Sequence, residues 1–365
     1  MTAAMGGSAG GAAPSGGGMN PFQFATNWYA EKIVSTITGV PTNLGAAQVP
    51  FFIQVNPGNF YRGTRFIVRS GGLSAGNPTL DAPTNLFANL DTENTDGAEI
   101  LYSMGGFAHE IIQTYGRPWN GSLRQAYDFS AGPNPSFTLF LSTEIRNTAG
   151  VLANTDSRSQ YRHTGSFAVA ATLGSNQVGT LAVTVTPYMD CYAQPDAADL
   201  QGVQNEPLPE GLNLQVKRRH EIPSLNGAGT DNIIQCHETG NLLRLQALIT
   251  RDVNGIRQEA FTDPIRWQVD NRNLGTFSPD MLRQWNYNQY CSYFEDFESP
   301  TGVYLFPRFW EPGELVGQGW LETNSSTKET WESSTAAGIA SPGTVEIVTD
   351  EVIPVNQVGF DLVHI

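Results

Sequence analysis

From residue 49 onward, short apolar runs alternate with clusters of Gly, Pro, Asn and Asp. Residues 49–56 and 61–69 are β-branched and aromatic, and Asn56-Pro57-Gly58-Asn59 between them is a turn sequence. Further strand-like runs lie at residues 85–90 and 99–102. A helical pattern follows, with Phe107, Ile111 and Tyr115 four apart on one side. Residues 137–145, 166–173 and 180–188 complete the set. In the first of these, Phe137, Leu139 and Leu141 alternate with Thr138, Phe140 and Ser142, which gives one apolar and one mixed face. The pattern predicts seven or eight strands in about 140 residues, the count of one jelly roll.

Residues 193–210 are polar, carry Pro195, Pro207 and Pro209, and predict a linker. Strand signals restart at residues 212–216 and continue at 242–250, 265–269, 303–309, 344–349 and 358–364. Ser278-Pro279-Asp280 predicts the start of a helix over residues 278–285, because Ser caps and Pro suits the first turn. The polar stretch 324–341 reads as a long loop. The expected architecture is all-β: two tandem eight-stranded jelly rolls, a double jelly roll, with short helices and an N-terminal helical arm. The expected division is a Gly-rich tail and arm over 1–45, a first roll over 46–192, a linker over 193–210 and a second roll over 211–365. No sequence repeat links the halves.

Residues 1–18 are almost entirely Gly, Ala, Ser and Met, too little apolar surface to offset the entropy of ordering. Asn20-Pro21 then opens a different segment. Phe24, Trp28 and Lys32 lie four apart, Ala25, Tyr29 and Ile33 form the adjacent row, and Gly39-Val40-Pro41 ends the pattern. This predicts a helical arm over residues 20–38. Its apolar side, Phe22, Phe24, Trp28, Tyr29 and Ile33, is expected to meet its own domain, a neighbouring subunit or a membrane surface.

Charge and chemistry mostly exclude functions. The 365-residue chain has a formal net charge of −15, which repels phosphate, so nucleic acid is not an expected direct partner. Cys191, Cys236 and Cys291 form no CxxC pair and signal neither a zinc site nor a disulfide framework. No run approaches the roughly 18–20 apolar residues of a membrane-spanning helix, and the N-terminus lacks a signal-peptide pattern. Gly6-Gly7-Ser8-Ala9-Gly10 fits the nucleophile-elbow spacing but lies in the glycine tail, without the strand and helix that such an elbow needs. Cys236-His237 would point to opposite faces of a strand. Glu295, Asp296 and Glu298 could bind calcium or supply an acid/base pair, but a solvated loop explains them as well. Lys217-Arg218-Arg219, the one basic run, predicts a salt contact within or between subunits of so acidic a protein. No catalytic residue, metal site or cofactor is expected.

The order of the elements resembles the double jelly-roll major capsid proteins of tailless, membrane-containing viruses, tectiviruses above all. Asn85-Leu86-Phe87, the acidic turn 91–97, Ile100-Leu101-Tyr102 and the helix near 107–115 look like the family's strand, turn, strand and helix. The strand at 137–145, then Thr148-Ala149-Gly150-Val151-Leu152-Ala153-Asn154 and the strand at 166, look like its later half, and Pro187-Tyr188-Met189-Asp190 resembles the last strand's end. In the second half, 226–232 with 241–252, and Ser299-Pro300-Thr301-Gly302-Val303-Tyr304, are similar to a turn with its strand and a lead into a late strand. The tail and the 324–341 stretch depart from the family. The resemblance implies a virion protein, made in the host cytoplasm of a bacteriophage or similar virus. It implies a homotrimer with nearly six-sided capsomers in an icosahedral shell. Implied partners are neighbouring capsomers, penton or vertex proteins and, through the arm, the viral inner membrane. Two other readings remain open: a glycan-acting hydrolase or amidase on paired jelly rolls, which would use Trp267, Trp285, Trp310, Trp320 and Trp331, and a spike or carbohydrate-binding protein.

Overall fold

The computed structural model describes residues 28–33, 43–44, 47–71, 79–95, 99–117, 136–146, 149–158, 160–173, 181–195, 214–236, 241–294, 299–309, 320–323, 328–339 and 343–354. The first half holds β1 (Trp28–Lys32), β2 (Asn43–Leu44), β3 (Val49–Gln54), β4 (Phe60–Gly71), β5 (Phe87–Asn94), β6 (Glu99–Met104), α1 (Gly106–Gly116), β7 (Ser136–Ser142), β8 (Leu152–Ala153), β9 (Tyr161–Phe167), α2 (Ala170–Leu173) and β10 (Leu181–Tyr192). The second holds β11 (Leu214–Glu221), β12 (Asp231–Cys236), β13 (Leu242–Arg251), β14 (Ile265–Val269), β15 (Arg272–Phe277), α3 (Pro279–Tyr290), β16 (Val303–Pro307), β17 (Leu321–Glu322), β18 (Glu329–Ser334) and β19 (Thr344–Pro354).

Among the described residues, once the two-residue strands β2, β8 and β17 are set aside, each half contributes eight strands, and both halves arrange them alike. In the first, one sheet runs β1-β10-β4-β7 and the other β3-β9-β5-β6. In the second, the sheets run β11-β19-β13-β16 and β12-β18-β14-β15. Counted within each half, both have the orders 1-8-3-6 and 2-7-4-5, which is jelly-roll connectivity. The helix between the fifth and sixth strands recurs as well, as α1 and α3. The rolls join where β6 and β11 run parallel, with Arg218 opposite Leu101.

Local chemistry explains these elements. Ser278 caps α3, its Oγ accepting from Met281 N at 3.1 Å, and Pro279 occupies the first turn. Gly106 opens α1 where a Cβ would stand 2.1 Å from the Thr84 carbonyl oxygen, so only glycine allows this close approach. One apolar core spans both halves and joins Phe66, Phe87, Phe107 and Ile111 to Leu245, Ala247, Leu305 and Val348. A second lies inside the second roll around Trp331, Phe306 and Ile347.

The arm departs from expectation. Trp28–Lys32 is not helical: it is strand β1, antiparallel to β10, with Trp28 opposite Tyr192 and Lys32 opposite Tyr188. The same residues that repeat every four also alternate, with Tyr29, Glu31 and Ile33 turned inward. The open edge of β10 offers backbone partners for that alternation, and pairing there satisfies both chains. The first sheet thus begins at residue 28, ahead of the expected boundary at 46. The remainder of residues 20–38 outside 28–33 lies beyond the described residues, as does the strand expected at 358–364. Other differences are smaller. The run 166–173 ends its strand at Phe167 and turns into α2. The stretch expected as a loop over 324–341 contains β18, and β12 and β15 are strands that the apolar pattern did not predict.

A buried polar group in the first roll gives a pH test. His163 is fully buried between Thr64 Oγ1 (2.8 Å) and Thr92 Oγ1 (3.0 Å), near the Tyr61 hydroxyl (3.3 Å). Burial holds its pKa down from 6.5 to about 4. The unfolded chain therefore takes up the proton first as pH falls. The contribution of neutral His163 is whole above pH 6.5 and declines through about 4, a loss of roughly 3 kcal/mol over that interval at about 1.4 kcal/mol per pH unit. Urea unfolding of the native protein and His163→Gln at pH 7 and 4.5 should show the native protein losing more stability; equal losses would refute the assignment.

Candidate functional site

The richest constellation of charged side chains lies on the seam between the rolls. Arg117, just past α1, Arg218 of β11, Arg244 of β13 and Asp350 of β19 are all fully buried. Arg117 grips Asp350 with both terminal nitrogens, at 3.2 and 3.3 Å, and donates from Nε to the Glu144 carbonyl at 2.8 Å. Arg244 donates to Asp350 Oδ2 at 2.6 Å and to the Gly116 carbonyl at 3.2 Å, which places a cation on the C-terminal end of α1. Arg218 lies 3.8 Å from Asp350 and reaches across to α1. There it meets His109 Nδ1 at 3.2 Å and Gln113 Oε1 at 3.0 Å. His109 Nε2 lies 2.7 Å from the Leu90 carbonyl, which can only accept, so Nε2 carries the proton and Nδ1 accepts from Arg218.

Burial by itself would raise the Asp350 carboxyl, but Arg117, Arg244 and Arg218 outweigh it and hold the group below its ordinary value. Burial, reinforced by Arg117, pushes Arg218 down to about 9, and burial pushes Arg244 down to about 10. Three guanidiniums thus surround one carboxylate. Such a cluster adds little net stability over an apolar core but is costly to break and fixes one geometry.

A second joint closes the seam elsewhere. Asp81 of the first roll binds Arg257 Nε at 2.8 Å and Arg251, and Arg251 also pairs with Glu346 of β19 at 3.2 Å. Arg257 donates to the Leu80 carbonyl at 2.7 Å, and its guanidinium lies 4.7 Å from the Phe107 ring centre. The seam can hold two rolls at a set angle. Among the described residues, no group of three or more His, Cys, Asp or Glu is placed to hold a metal.

The residues singled out from sequence fall in different places. Phe22 and Phe24 lie outside the described residues, as do Gly6–Gly10, His237, Glu295, Asp296 and Glu298. Trp28 is 47% exposed on β1, Tyr29 packs half-buried against the core, and Ile33 is buried within it. Ile33 is committed to its own roll. Of the basic run, Arg218 makes the expected salt contact, inside the chain. Cys191 and Cys236 are buried free thiols and Cys291 is an exposed one. Sequence reasoning missed Arg117, Arg244 and Asp350. A signal existed for one: Arg244 interrupts the apolar run Leu242-Leu243-Arg244-Leu245.

No protein-family model matches this chain, and neither does any curated protein sequence. Solved structures do. A chain in the atomic structure of Sulfolobus turreted icosahedral virus superposes with a TM-score of 0.61 at 13% identity, over 90% of this chain and 91% of that one. VP54 of PBCV-1, fitted into a reconstruction of the virophage Sputnik, gives 0.59 at 12% identity, over 89% and 94%. The major capsid protein P2 of bacteriophage PM2 gives 0.53 at 12%, over 91% of this chain and 100% of its own. The chain is a double jelly roll. Within the double jelly roll, α1 and the arginine cluster stand where one roll hands over to the next, so the seam belongs to the architecture and is not an addition to it.

Proposed function

We propose that this chain is the major capsid protein of a virus, assembling as a homotrimer into pseudo-hexagonal capsomers of an icosahedral shell around an internal membrane. The observation that carries the reading is the likeness to the PM2 major capsid protein along that protein's whole length, with no large part of this chain left over for another task. In this reading each chain supplies two of six upright rolls, the protein resides in the virion after synthesis in the host cytoplasm, and its neighbours are other capsomers and penton or vertex proteins. We divide it into a first roll to residue 192, a linker over 193–210 and a second roll from 211. We assign Trp28 and the segment ahead of it, with Phe22 and Phe24, to contact with a neighbouring capsomer or the membrane.

The hydrolase reading needs tryptophans free to line a cleft. Here Trp331 and Trp320 are buried, Trp267 stacks on Trp331 at 5.9 Å, and Trp285 stacks on Phe277 at 5.7 Å. Trp320, Trp331 and Trp267 serve packing, and Trp285 is exposed. The test is mass in solution: light scattering of the purified chain at neutral pH should give a trimer, with a melting temperature that rises with protein concentration. A monomer at every concentration would overturn the capsid reading.

A further inference from the structure

Four aliphatic side chains stand out at one end of the two rolls. Leu80 ahead of β5, Ile222 just past β11, and Val253 and Ile256 in the turn after β13 are 50–58% exposed. Turns are ordinarily built from polar residues and glycine, so two aliphatic side chains held outward on one turn mark a contact surface. The turn is well braced. Asp252 Oδ1 accepts from Asn254 N and Ile256 N, both at 2.8 Å, and Gly255 takes a φ of +76°.

The Asp81 joint gathers these residues. Arg251 pairs with Asp81 and donates to the Gly255 carbonyl at 3.3 Å, and Arg257 donates to the Leu80 carbonyl at 2.7 Å. Asp81, Arg251 and Ile222 also line a cleft of about 320 Å³ with walls from both rolls, large enough for a side chain and the main chain that carries it. Strand register puts the cleft far from the N-terminal segment. Ile222 follows the last residue of β11, whereas Leu214 at its start pairs with Pro354, and Trp28 pairs with Tyr192 at the corresponding end of the first roll.

The lining defines what fits. Phe87, Ala88, Phe107 and Ala108 supply an apolar wall. Gly105, the N-cap of α1, has no side chain to cap the helix, so the N–H groups of the first turn face the cleft as donors. Asn85 gives its Nδ2 to Thr79 Oγ1 at 2.7 Å and to the Thr172 carbonyl at 2.8 Å, while its Oδ1 is buried with no hydrogen-bond partner among the described residues. Donors and an acceptor beside an apolar wall match a peptide group and its side chain. The charges are lopsided. Asp81, Glu221, Asp252 and Glu346 stand against Arg251 and Arg257, both already engaged by Asp81, on a chain of net charge −15. A cationic partner is favoured and an anionic one opposed.

We propose that this end of the molecule binds a short basic peptide segment of another protein. An aliphatic side chain of the segment enters the cleft beside Ile222 and is flanked by Leu80, Val253 and Ile256. Its main chain meets the first turn of α1 and Asn85 Oδ1, and its lysines or arginines face Glu221 and Asp252. The contact lies at the end opposite Trp28, so it is separate from the contact assigned to the N-terminal segment. It does not depend on the capsid reading.

The test is fluorescence anisotropy of the purified full chain with a fluorescein-labelled hexapeptide, two leucines at its centre and lysines on both sides. Binding should be saturable and should weaken as salt is raised. The same peptide with serines in place of the leucines, or glutamates in place of the lysines, should not bind. Ile222→Ser and Val253→Ser change exposed positions and no charge. Each should weaken binding by about tenfold or more, the worth of one buried aliphatic side chain, with an unchanged far-ultraviolet spectrum. Ile233→Ser, at an equally apolar site 71% exposed on β12 and outside the cleft, should bind as the native protein does. No saturable binding of the leucine–lysine peptide would overturn the proposal. So would equal binding of the serine-centred peptide, which would mean attraction by charge alone, or an Ile233→Ser loss as large as that of Ile222→Ser. None of these outcomes bears on whether the chain forms capsomers.

Discussion

Asp350→Asn is expected to remove about 3–5 kcal/mol of stability, the usual cost of stripping one partner from a buried ion pair. The cost arises because Arg117, Arg218 and Arg244 are fully buried around that carboxylate, and asparagine leaves three guanidiniums in a dry seam without the charge that faces them. Against a typical total of about 5–15 kcal/mol, this is a large share. The midpoint of urea unfolding is the measurement. Adding Arg244→Gln should recover part of the loss by restoring the native charge imbalance. The native carboxyl is held below 3.8, so its contribution is full above pH 3.8 and fades as pH falls through the lower folded value; the variant should lack that acid-side decline. A variant that unfolds at the native midpoint would mean that the carboxylate does not organise the cluster.

Trp331→Ala should be comparably severe, at about 3–5 kcal/mol for a large aromatic removed from a core. The indole is 1% exposed, its ring centre 3.9 Å from that of Phe306 and 5.9 Å from that of Trp267. Its Nε1 donates to Gln246 Oε1 at 3.1 Å. Trp331→Phe keeps most of the volume but leaves the Gln246 oxygen unpaired, so it should cost less, about 1–3 kcal/mol. Thermal unfolding of both variants checks the order. Equal and small losses would place Trp331 outside the core of the second roll.

Trp331 also shows where sequence reading fails. It sits in Glu329-Thr330-Trp331-Glu332-Ser333-Ser334, which looks like a loop because the inward residues include Glu329 and Ser333. Glu329 is buried against Arg308, Trp267 and Gln246, so polar side chains satisfy one another where an apolar alternation would have announced a strand. In β12 the inward positions are Asn232, Ile234 and Cys236, while Ile233 faces solvent, and the signal is blurred for the same reason. Where the interior is apolar, the pattern was legible: the helix signalled by Phe107, Ile111 and Tyr115 is α1, and the run 265–269 is β14. The N-terminal segment failed differently. Residues 28–33 fit both a four-residue and a two-residue repeat, and only the vacant edge of β10, distant in sequence, decides between them. For the seam, chemistry was legible one residue at a time and its meaning was not. Arg117 and Asp350 are 233 positions apart, and nothing local marks them as partners.

Besides the shared apolar core and the β6–β11 bridge, ionic joints fasten the rolls at two places, Asp350 and Asp81. A plate hung on one hinge can swing; a second fastening away from the hinge stops it. The angle between the rolls is therefore fixed inside each chain. In the capsid reading, a closed surface tiled with such plates has to bend along the joints between tiles. Its radius is then set by how the tiles are laid, and the same rigid tile serves a small container or a large one.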